Sequence, residues 1–223
     1  MLNDSVGRPW EAEGQTTWYR LDVLFPSGSN PAFPGSFTNN SPGSESGFNK
    51  FLSWHENGFN DGYRSPASSA YFVHTSPSQP FRFDFFGGDG RGTSTFNGTA
   101  TSPGTASWIS ALDLDANGSP VALRKDHWYT IVSQIKWSRT AGWAKIWVDG
   151  RLAFPNPQNR LKVPYNGSYN VPTTFPTLWW DYNRNSSGRV WMMVGHYRIR
   201  ATWTDSIYMA KIKVGPSQAS VTG

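Results

Sequence analysis

Ser53 and His55 stand two residues apart in Phe48-Asn-Lys-Phe-Leu-Ser-Trp-His55. Alternation along an extended chain puts both on one face with Phe51, and Lys50, Leu52 and Trp54 on the other. A hydroxyl and an imidazole are then neighbours. Between Trp128 and Trp137, Gln134 and Lys136 share a face, and between Trp143 and Val148 so do Lys145 and Trp147. Adjacent strands would present amide, ammonium and indole together, a setting in which Trp either stacks on a sugar ring or fills the core. Asp113, Asp115 and Asn117, followed by Gly118, have the oxygen-ligand spacing that opens a calcium loop. The bidentate Glu expected six residues after the Gly is Arg124 here. That rules against a helix-flanked EF-hand and leaves a calcium-stabilised loop beside an ordinary Asx turn.

Other chemistries lack their residues. With no Cys there is neither a disulfide framework nor thiolate catalysis. No Gly-X-Ser-X-Gly elbow marks a serine hydrolase, and no clustered Glu-X-Asp-X-X-Glu strand supplies the paired carboxylates of a jelly-roll glucanase. Phosphate-binding Gly motifs, His-rich zinc spacing and aromatic RNA-binding signatures are likewise missing. His74, His127 and His196 have no partner pattern and read as structural or exposed.

Strands must position these groups. Trp18 to Phe25 alternates, with Tyr19, Leu21, Val23 and Phe25 on one side. Further strands are expected at 70–75, 81–86, 189–200 and 206–214. The clearest set is Trp128 to Trp137, Trp143 to Val148 and Arg151 to Phe154, where Asp149-Gly150 signals a tight hairpin because both positions tolerate positive φ. The composition agrees: 12 Trp, 9 Tyr and 14 Phe among 22 Gly and 16 Pro favour sheets over long helices. At 223 residues the expectation is a single domain with a flexible tail at 216–223. The net charge of +5 favours a polyanionic partner. No apolar run approaches the ~20 residues of a membrane span.

The segments "EGQTTWYRLDVLFP", "FNKFLSWHENG", "HWYTIVSQIKWS", "GWAKIWVDGRLAF", "VGHYRIR" and "IYMAKIKVG" run in this order from Glu13 to Gly215. In that order they resemble the jelly-roll polysaccharide lyases, the group that contains heparin lyase I, alginate lyases and glucuronan lyase. The resemblance implies an all-β jelly-roll sandwich of two antiparallel sheets, of the concanavalin A-like lectin/glucanase type, with a polymer held on one sheet. His55 matches the His of the family's Gln-X-His or Trp-His motif, and Tyr197 in "GHYRIR" matches the Tyr of Lys-Ala-Gly-X-Tyr. Two positions depart from the pattern: Ser53 stands at the Gln and Met193 at the Lys.

The implied reaction is β-elimination from an acidic polysaccharide. It needs a donor for the C6 carboxylate, a base for the C5 proton and an acid for the O4 leaving group. Tyr197 would be base or acid, with His55 assisting. A phenol of pKa ~10 needs positive charge nearby to act as base near neutral pH. Candidate substrate contacts are Ser53, Asn57, Arg82, Gln134, Lys136 and Trp147, with Arg20 and Arg64 as further donors, provided their faces line one groove. No cofactor is required, and calcium at Asp113, Asp115 and Asn117 would be structural. Neither nucleic acid nor membrane is expected as a partner. The rival expectation is a non-catalytic carbohydrate-binding module of a secreted or phage virion surface protein. Ser53 and Met193 favour it, and a start without a leader suits virion assembly.

Overall fold

The structure is a computed structural model and describes residues 11–27, 49–56, 68–73, 82–87, 108–111, 117, 121, 123–138, 141–165, 168–175, 177, 180–181, 186–187, 190–198 and 206–223. Among these the chain forms β1 (Thr16–Leu24), β2 (Asn49–Glu56), β3 (Ser68–Val73), β4 (Arg82–Gly87), β5 (Trp108–Ala111), β6 (Trp128–Lys136) and β7 (Trp143–Val148). It continues with β8 (Arg151–Phe154), β9 (Arg160–Tyr165), β10 (Ser168–Asn170), β11 (Trp180–Asp181), β12 (Ser186–Ser187), β13 (Val190–Arg198), β14 (Tyr208–Gly215) and α1 (Gln218–Thr222). Two five-stranded antiparallel sheets dominate. The first runs β14-β1-β6-β7-β8 and the second β13-β2-β3-β4-β5.

The sheets meet through the alternating apolar positions. Tyr19, Leu21 and Val23 of β1, Ile131 and Ile135 of β6, and Ala144, Ile146 and Val148 of β7 are buried, as are Phe51, Leu52 and Trp54 of β2. Ring contacts tie the layers together: Tyr19 lies 5.2 Å from Trp54 edge-on, and Phe25 lies 6.1 Å from Phe51. Each such side chain contributes about 1.5–3 kcal/mol when fully removed from water. The result is an all-β sandwich. Its core includes one polar cluster, in which Tyr19 Oη donates to Glu11 Oε1 at 2.7 Å and accepts from Trp137 Nε1 at 3.1 Å. Burial pushes the Glu11 carboxyl above its usual range, against the lowering effect of hydrogen bonds from Thr17 and Tyr19.

The hairpin between β7 and β8 forms where Asp-Gly predicts it, with Asp149 at φ 50° and Gly150 at φ 77°. Asp149 also binds β6: its Oδ1 accepts from the Thr130 amide at 2.8 Å and its Oδ2 meets His127 Nε2 at 2.9 Å. His127 is therefore held by the hairpin. At the other end of the chain, the residues expected as a flexible tail are folded instead. Ser217 caps α1 reciprocally with Ser220, and Val221 is fully buried, which gives the segment an apolar anchor that its polar composition conceals.

Candidate functional site

The second sheet is organised around β2. Leu52 and Trp54 are buried, and Ser53 and His55 alternate with them along the strand. On one side β2 pairs with β13: Trp191 with His55, Met193 with Ser53, and Tyr197 with Lys50. On the other it pairs with β3: Ser69 with Ser53, Ala70 with Leu52, and Tyr71 with Lys50. The register shifts at one level on both sides, between Val194 and Tyr197 and between Lys50 and Leu52. A bulge of this kind places two residues of one strand opposite one of the next.

This bulge corrects the simple alternation. Phe51 and the next residue, Leu52, are both buried. Ala70 and Tyr71 are consecutive on β3, and they pair with Leu52 and Lys50. A row of directly paired positions then crosses four strands: Tyr197, Lys50, Tyr71 and Asp84. Paired Cα atoms in such a row lie about 5 Å apart. Arg82 pairs with Val73, two positions from Tyr71.

Thus Ser53, His55, Arg82 and Tyr197 belong to strands of one sheet. His55 and Tyr197 are on neighbouring strands but are offset by the five steps of β2 from Lys50 to His55, about 15 Å. Lys50 and Tyr71 are paired positions that strict alternation alone does not bring out. The signal for them is the apolar pair Phe51-Leu52, which breaks strict alternation at the bulge. Asn57, Arg64, Asp113 and Asp115 lie outside the described residues, and Asn117 sits in an exposed turn. Among the described residues no group of three or more His, Asp or Glu side chains is placed to hold a metal ion.

Gln134, Lys136 and Trp147 belong elsewhere. They are on β6 and β7 of the first sheet, at positions that alternate with buried Ile131, Ser133, Ile135, Ile146 and Val148. Because those inward residues pack toward Leu52 and Trp54, the alternate positions face away from the second sheet. Arg20 is on the same outer surface, its Nε 2.9 Å from Asp22 Oδ1. The condition that all these donors line one groove with His55 and Tyr197 is not met. Gln134, Lys136 and Trp147 lie in a different sheet from His55 and Tyr197 instead.

No protein-family model matches the sequence, and no curated protein matches it. Several solved structures are similar. Alginate lyase Aly36B aligns with a TM-score of 0.42 and 13% identity, over 90% of this chain and 69% of that one. The alginate lyase PA1167 from Pseudomonas aeruginosa gives 0.43 and 10%, over 96% and 71%. The catalytic domain of a glycoside hydrolase family 131 protein from Coprinopsis cinerea gives 0.36 and 13%, over 94% and 60%.

Proposed function

We propose that this chain is a polysaccharide lyase-like domain that binds a uronate-containing glycan on the outward face of the second sheet and cleaves it by β-elimination. The observation that carries this reading is the direct pairing of Tyr197 with Lys50, with Tyr71 on the other side of Lys50. The three groups that the reaction requires then come from adjacent positions. Lys50 neutralises the C6 carboxylate, which acidifies the C5 hydrogen. One phenol takes that proton, the C–H electrons form the C4–C5 double bond as the C4–O4 bond breaks, and the other phenol protonates the departing oxygen. An ammonium beside a phenol also favours the phenolate. Lys50 so replaces the cation that Met193 lacks.

His55 and Ser53 lie farther along β2 and hold a neighbouring sugar of the same polymer, and Arg82 offers a further carboxylate contact. No cofactor enters, and calcium at the Asp113 to Asn117 loop would be structural. The protein would work outside the cell or on a virion surface, where such polymers are met. Turnover of alginate and glucuronan, followed by the absorbance of the unsaturated uronate product, tests the reading. Tyr197→Phe and Lys50→Met should each lower the rate by about 10²–10³-fold, the scale of a lost general acid or base. His55→Ala should mainly raise KM. Unchanged turnover in both Tyr197→Phe and Lys50→Met would discard the mechanism.

Met193, paired with Ser53 where the related motifs carry a cation, favours a second reading: a carbohydrate-binding module without catalysis. Retention on a polymer gel with no unsaturated product would select it.

A further inference from the structure

We infer that the outward face of the first sheet is a second docking surface for acidic polysaccharide, on the side of that sheet turned away from Leu52 and Trp54. The inference shares with the proposed function only the chemical class of the polymer. It involves no reaction.

The surface is built by register. Trp18 pairs with Gln134 and Gln134 with Lys145, while Lys136 pairs with Trp143 in the next row. Trp18 and Trp147 reach across β6 and stack, their centroids 5.4 Å apart and their planes 16° from parallel. Lys145 Nζ lies 5.5 Å from the centroid of Trp143. Part of this arrangement is apolar cover, since the stacked indoles shield Val132, which is 7% exposed. Cover alone does not call for ammonium groups interleaved with rings. The described outward strand positions of β1, β6, β7 and β14 carry Arg20, Lys136, Lys145, Lys211 and Lys213 against one carboxylate, Asp22. That carboxylate is already held by Arg20 at 2.9 Å and Lys211 at 3.5 Å.

Charge complementarity selects the occupant. A uronate chain offers a carboxylate on each sugar for Lys136 and Lys145, hydroxyls for the Gln134 amide and C–H faces for the half-buried indoles. Two strand spacings, about 10 Å, separate Trp18 from Lys145, so adjacent sugars can meet the ring and the cation in turn. Such a surface retains a long chain after each cut without touching the reacting sugar.

The test compares the full chain with Lys136→Glu/Lys145→Glu by affinity electrophoresis in alginate and glucuronan gels, and by turnover of alginate and glucuronan tetrasaccharides. Retention should weaken about tenfold, and the parent's retention should fall with added salt. Tetrasaccharide turnover and the unfolding midpoint should not change. Trp143→Ala should weaken retention even in high salt, because stacking is not screened. A double variant that is folded and retained as strongly as the parent overturns the inference. So does single-stranded DNA that competes for the same residues more strongly than the polyuronate. Retention through these lysines without any turnover would overturn the enzyme reading alone.

Discussion

In the first sheet the inner strand pairs keep perfect register. Nine consecutive pairs join β1 to β6 and six join β6 to β7, and shifts occur only at the outer pairs, β1 with β14 and β7 with β8. In the second sheet the shifts flank β2 at a single level, next to Lys50. The difference separates two tasks. An unbroken ladder fixes which residues face the core and which face water for its whole length, whereas a bulge changes that assignment midway and re-aims a side chain. Here the shift falls beside the pairing of Lys50 with Tyr197.

Trp54 joins the two sheets, so its removal is the severest way to probe them. Trp54→Ala should cost about 3–5 kcal/mol, measured by denaturant unfolding, and should loosen both layers together. Amide exchange in the parent should show β1 and β6 opening only with global unfolding, and the bulge at Phe51 exchanging about tenfold faster or more. Equal protection at the two places would erase the contrast. Tyr19→Phe removes the hydroxyl that joins Glu11 to Trp137 and should cost about 1–3 kcal/mol, since it leaves buried polar groups without their partner. Turnover under the proposed function should be unaffected, since Tyr19 belongs to the first sheet. Gly150→Ala forces a side chain into a left-handed position and should cost about 1 kcal/mol, seen as a lower thermal midpoint with no change in polymer binding.

The smallest effect is a slope with pH. Burial holds the Glu11 carboxyl above 4.5, so the folded state keeps a proton that the unfolded chain releases. Stability should therefore fall as pH rises from about 4.5 through the folded value, and Glu11→Gln should flatten that segment. Asp22 acts in the opposite sense. Its partial burial is outweighed by hydrogen bonds from Arg20 and Thr130 and by the charges of Arg20 and Lys211, which together lower its carboxyl below 3.8. Its contribution is present above 3.8 and disappears as pH falls toward the folded value. A parent whose unfolding midpoint is flat from pH 4 to 7 would contradict the Glu11 assignment.

The fold was legible wherever period-two alternation ran unbroken. Tyr19, Leu21, Val23 and Phe25 are all buried as alternation requires, and the Asp149-Gly150 turn follows from its two residues. The candidate site was legible only in part. Alternation assigns Lys50 to the core parity because it contains no term for an inserted residue, and an apolar pair such as Phe51-Leu52 reads equally well as a strongly buried strand. The placement of Gln134, Lys136 and Trp147 could not be read either. Their own strands show that they share a face, but which face of the sandwich it becomes depends on the pairing between strands far apart in sequence. The capped α1 was hidden for a related reason, since one buried valine among Ser, Gln and Thr gives no periodic signal.

The coincident bulges on both sides of β2 also bear on how this scaffold can change. Losing one residue at that level would reverse the face of every earlier position of β2 while Leu52 and Trp54 stayed seated, and a matching event near Gly195 would do the same along β13. Ligand chemistry could thus be exchanged by a single-codon insertion or deletion, with the neighbouring sheet acting as an unaltered foundation.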